Sequence, residues 1–112
     1  MALTLPADTS SPTFISEMFS QIDARIATGD RFSVIIDSSQ VSRVTLKHTK
    51  EVVWWMRANR EKLRNFLTCS SVVVVNPLVE TALNMVFKLQ KPVAPMYVVS
   101  DVGEAWDFIQ AH

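Results

Sequence analysis

The chain has 112 residues, with 11 Lys+Arg against 11 Asp+Glu and 48% apolar residues, enough for one domain whose core forms without disulfide or metal staples. A formal net charge of zero argues against a surface built throughout for nucleic acid, so no nucleic-acid partner is expected. A single cysteine, Cys69, excludes an internal disulfide framework and multi-cysteine metal sites.

The first short apolar run, Ala2 to Leu5, reads as a strand cut off by Pro6. Ile15, Met18, Phe19, Ile22 and Ile26 then recur at spacings of three and four, one stripe of an amphipathic helix. Ser11 and Pro12 supply its cap and first-turn proline, and Gly29 its stop. Phe32 to Asp37 (FSVIID) is short and rich in Ile and Val, the pattern of a strand covered on both faces. A second helix is expected from about Leu46 to Leu67, followed by a strand at Ser71 to Asn76 (SVVVVN). Asn76-Pro77 opens a third helix that ends near Gln90, before Pro92. Val93 to Ser100 reads as the last strand. A closing helix is capped by Ser100 or Asp101, with Glu104 placed for a capping box. The order β-α-β-α-β-α-β-α predicts an α/β fold: one domain over 1–112, a mainly parallel four-stranded sheet with helices packed against it.

On the second helix, Val52, Met56, Leu63 and Leu67 fall within about 60° of one another at 100° per residue, which makes them the buried stripe. Trp54 then points outward, nearest Ala58 and on the same side as Lys47. An outward tryptophan near Arg57 has the composition of a contact hot spot, although single exposed apolar residues are also ordinary. From Val41 to Arg64 seven basic residues face two acidic ones, a net +5 that leaves −5 on the rest of the chain. Helix-end cations explain Lys62 and Arg64 but not Arg43, Lys47 and Lys50, so an acidic partner surface is expected. The third helix is apolar over about 200°, twice the arc a surface helix needs, and Leu83 and Phe87 are its expected contacts with another molecule. A homodimer is the simplest such assembly.

Chemistry is sparse. Gly29 and Gly103 are the only glycines, so no glycine-rich phosphate loop exists. His48 and His112 have no partners at metal-ligand spacing, and His48 reads as a solvated helix residue. Cys69 reads as a filler in a turn just before a strand. Asp37-Ser38-Ser39 stands where parallel sheets place ligand groups, but Asp and Ser there also serve ordinary turns. No catalytic residue, cofactor or metal is assigned, and a non-enzymatic protein is expected. No apolar run approaches the roughly 18 residues that cross a bilayer, and MALTLPADTS lacks a secretory pattern, so a cytoplasmic location is expected.

The succession FSVIIDSSQVSRVT, a long helix, SVVVVNP, KPVAPMYVVSD and a closing EAWDFI helix resembles a STAS domain of the anti-sigma-factor-antagonist type, in the broader STAS/SEC14-like group. The likeness covers nearly the whole chain in layout and hydrophobic pattern, and VVVNP and YVVSDVGEAWDFI are its best local matches. It implies a non-enzymatic domain that binds protein partners and is often switched by phosphorylation where the long helix opens. Here that position is Thr45-Leu46-Lys47-His48, without the family's Asp, Ser and Gly, so Thr45 and Thr49 are the candidate phosphate acceptors. Family members usually have two strands before the first helix, whereas at most one fits here, and the missing edge strand favours dimerisation or strand augmentation unless the N-terminal segment covers the edge. The SEC14-like side of the resemblance, with Met18, Phe19, Met56, Met85 and Phe87, implies an alternative function: carriage of a small apolar or lipid-like ligand.

Overall fold

Short runs of Val and Ile, flanked by Asp, Asn or Ser, form four strands that all run parallel. The computed structural model describes residues 1–112. In chain order the elements are β1 (Ala2–Thr4), α1 (Phe14–Ile26), β2 (Phe32–Asp37), α2 (Leu46–Ala58), α3 (Arg60–Phe66), β3 (Leu67–Val73), α4 (Pro77–Leu89), β4 (Met96–Val99) and α5 (Val102–Ala111). The sheet order is β1-β2-β3-β4, every neighbouring pair parallel. The expected α/β class and four-stranded parallel sheet are what the chain adopts.

Strictly sequential order and right-handed crossovers put every crossover helix on one face of the sheet. Leu3, Phe14, Ile15, Phe19, Phe32, Val34 and Leu63 form the larger cluster on that face, and Val41, Val72, Val74 and Val79 a second one. The alternate residues Ile35 and Val73 point the other way and meet Ala105 of α5, which alone covers the opposite face. The molecule is thus three-layered but lopsided.

Local chemistry explains most boundaries. Asn76 caps α4 by accepting the Leu78 N–H at 2.9 Å, with Pro77 at the first helical position. Asp101 caps α5 through the Glu104 N–H at 2.8 Å, while the Glu104 carboxylate takes the Ser100 hydroxyl. Gly29, at φ 81, supplies the left-handed residue beyond α1. The start of α1 differs from the expectation. Ser11 closes a turn onto the Thr13 N–H rather than capping the helix, which begins two residues later at Phe14 than a first-turn proline at 12 implies.

Two larger differences concern the centre of the chain. The expected single helix from Leu46 to Leu67 is broken at Asn59, which leaves helical geometry at φ −112 and ψ 16. Asn59 closes α2 through its own N–H and its Nδ2 on the Trp55 carbonyl, then accepts the Leu63 N–H to start α3. Its amide competes with the helix backbone, which is why asparagine suits such a junction. On α2 itself His48, Thr49 and Val53 are buried, with Val52, Trp55 and Met56 half-buried beside them. β3 also starts earlier than Ser71. Leu67 follows α3 without a loop, and Arg31 holds that junction by donating to the carbonyls of Asn65 and Leu67. Cys69 therefore lies inside a central strand, fully buried, with Sγ 3.2 Å from the Ser33 hydroxyl.

Candidate functional site: the outer face of α2 and α4, and a cavity beneath it

Trp54 is the most exposed large apolar side chain, at 72%. Leu46, Lys50, Trp54 and Ala58 form one i, i+4 ridge along the outer side of α2, all exposed. Lys47 flanks this ridge and lies 3.9 Å from Glu51, a solvent-screened pair of little energetic weight. Arg57 is exposed but engaged: it donates to the Leu89 carbonyl at 2.9 Å and to Gln90 Oε1 at 3.4 Å. It thereby ties the end of α2 to the end of α4, adding a cation where α4 leaves carbonyls unpaired.

Leu83 and Phe87 do not form the outer side of α4. Both are half-buried and turned toward the sheet and α2, while the apolar residues that α4 exposes are Leu78, Met85 and Leu89. The wide apolar arc read from the sequence therefore serves two surfaces, an inner one at Val79, Leu83, Val86 and Phe87 and an outer one at Leu78, Met85 and Leu89. Because Arg57 joins the two helix ends, Trp54 and Leu89 belong to the same end of the helical layer.

The two candidate phosphate acceptors differ. Thr45 is exposed and accepts the His48 N–H as the N-cap of α2, while its own N–H reaches His48 Nδ1. Thr49 is buried, and its hydroxyl faces the Thr45 carbonyl, so a kinase has no access to it without opening α2. His48, expected in solvent, is buried edge-on against Phe14 because this reciprocal cap folds its ring back over the helix start. Thr45 lines a polar depression with Asp8, Ser10 and Arg43. The Ser10 hydroxyl and N–H hold the Asp8 carboxyl below its usual pKa.

Asp37, Ser38 and Ser39 form the turn after β2. Asp37 accepts the Ser39 N–H, and both the N–H and the hydroxyl of Ser38 donate to the Val73 carbonyl. No group of three His, Cys, Asp or Glu side chains converges as a metal site. No helix is long and apolar enough to cross a membrane.

One feature escaped the sequence. Between the sheet and helices α1, α2 and α4 lies a cavity of about 180 Å³, and 24 of its 29 lining residues are hydrophobic. It is bordered by members of both helix-side clusters, with Phe19 on one and Val79 on the other. Ser70 of β3, only 2% exposed, lies on its floor, and its hydroxyl has no hydrogen-bond partner. No pattern in the sequence signals a gap between layers, because helical spacing fixes which residues face inward but not how far apart the layers stand.

No family model matches the chain, and no curated protein or solved structure is significantly similar to it.

Proposed function

We propose that the chain is a non-enzymatic, STAS-like interaction domain that holds an acidic protein partner on the outer face of α2 and the adjoining end of α4. The carrying observation is Trp54: a large aromatic left 72% exposed on a helix whose surroundings are strongly cationic. A tryptophan ringed by long cationic side chains is the anatomy of a binding hot spot, an apolar centre with a charged rim. Lys47, Lys50 and Arg57 provide the rim, Ala58 leaves room beside the indole, and Met85 and Leu89 extend the apolar centre onto α4. The tie from Arg57 to α4 holds the two helix ends in register, which lowers the ordering cost of binding. The alternating layout with a long helical segment after the second strand supports the STAS-like assignment. A second copy of the chain, whose remaining surface carries the balancing −5, is one partner that meets the charge requirement.

The test is affinity capture with the intact chain, followed by reconstitution with the purified partner. Trp54→Ala and the charge reversal Lys47→Glu/Lys50→Glu are each expected to weaken that complex at least tenfold, and added salt is expected to weaken the wild-type complex. If every captured protein binds the variants as tightly as the wild type, the outer face of α2 is not the docking surface.

A further inference from the structure

The cavity beneath α2 combines an apolar wall with a buried, unpaired hydroxyl. A dry void of this kind is lined by apolar atoms alone, and a buried hydroxyl is normally paired, since an unpaired one forfeits the hydrogen bonds it made to water. Ser70 breaks that rule in the middle of the sheet. Its neighbours across the strands are Val34 and Met96, both of which also line the cavity; the valine side chain has no hydrogen-bonding group and the methionine only a weakly accepting thioether. Of the other polar side chains on the wall, Ser38 donates to the Val73 carbonyl, Thr49 to the Thr45 carbonyl, and His48 accepts the Thr45 N–H at its Nδ1. A water molecule needs two to four polar partners, and among the fully buried side-chain polar atoms the Ser70 hydroxyl is the one without a partner. What satisfies it must carry its own apolar body.

We propose that this cavity binds a small, largely apolar molecule bearing one hydrogen-bonding group, which pairs with the Ser70 hydroxyl while the rest fills the space between sheet and helices. Size limits the class. A cavity of about 150 Å³ accepts benzene, so about 180 Å³ accepts a single ring with a small polar substituent and excludes a full-length lipid chain. The site is separate from the Trp54 surface, on the other side of α2, and its fate does not depend on the docking surface.

Phenol and toluene test this directly, since they share a ring and differ in exchanging a hydroxyl for a methyl group. Each is titrated into the isotope-labelled full chain while the amide resonances of Val72, Leu83 and Phe87 and the methyl resonances of Val72 and Leu83 are followed. Both probes are expected to shift these resonances, with phenol binding roughly five- to tenfold more tightly, the worth of one net hydrogen bond. In Ser70→Ala the preference is expected to vanish while toluene binding persists. Ser70→Cys, which keeps the volume but weakens the hydrogen bond, is expected to fall between them and serves should the alanine variant fold poorly. Absence of shifts at the cavity wall with either probe overturns the proposal. So does equal affinity of the wild type for both, or a phenol preference that survives both substitutions.

Discussion

Trp54 and Trp55 are adjacent in sequence and opposite in role. Trp55 is half-buried and stacks on Phe19, with ring centroids 3.9 Å apart and planes 5° from parallel, whereas Trp54 stands in solvent. Replacing Trp55 by alanine removes that stack and opens a hole between α1 and α2, a loss of about 3–5 kcal/mol. Replacing Trp54 by alanine removes no core contact and is expected to change stability by no more than about 0.5 kcal/mol. Thermal denaturation checks the contrast: a Trp55→Ala midpoint lowered by well over 10 °C, a Trp54→Ala midpoint within a few degrees of wild type. Gly29 is a third sharp position. Its φ of 81 strains any residue with a Cβ, although space around it is open, so Gly29→Ala is expected to cost about 1 kcal/mol through backbone geometry alone.

At the scale of elements, caps decide where helices start, and Asn76 is the clearest. Asn76→Ala removes the acceptor for the Leu78 N–H and a donor to the carbonyls of Val41 and Ser42, and is expected to cost about 1–2 kcal/mol in denaturant unfolding. The same residue shows what sequence patterns convey. Asn-Pro before an apolar period marks α4 because cap and proline chemistry are local, and FSVIID marks β2 because a doubly covered strand is apolar throughout. The break at Asn59 and the early start of β3 were not legible for the opposite reason. Asn59 is a weak helix former inside a strong helical period, and Thr68, Cys69 and Ser70 are small or polar residues that become strand because β2 and β4 flank them. The outward side of α2 was legible from Trp54, but the direction of Leu83 and Phe87 was not, since an apolar arc of 200° does not say which part meets the sheet. The cavity with its unpaired Ser70 hydroxyl depends on the spacing of whole layers.

Across the whole molecule the two faces of the sheet are held unequally, and this sets an order of local opening. One face carries α1, α2, α3 and α4 over two apolar clusters, whereas the other carries α5, whose fully buried residue is Ala105, seated on Ile35 and Val73. Half-buried Phe108 and Ile109 complete its inner side, and Phe108 packs on Tyr97, itself exposed. An element with so little buried apolar area detaches at a free energy well below that of global unfolding. Hydrogen exchange under native conditions is therefore expected to show the α5 amides exchanging through a local opening, while those of β2 and β3 exchange only through global unfolding. Ala105→Leu sharpens the test. Three added carbons, one methine and two methyls, have no room at a contact already fully buried, and they lift α5 from the sheet at about 1–3 kcal/mol. The α5 amides are then expected to lose protection while α1 and the central strands keep theirs. Uniform loss throughout the chain would mean instead that α5 is part of the cooperative core, and that the sheet needs both of its covers to stand.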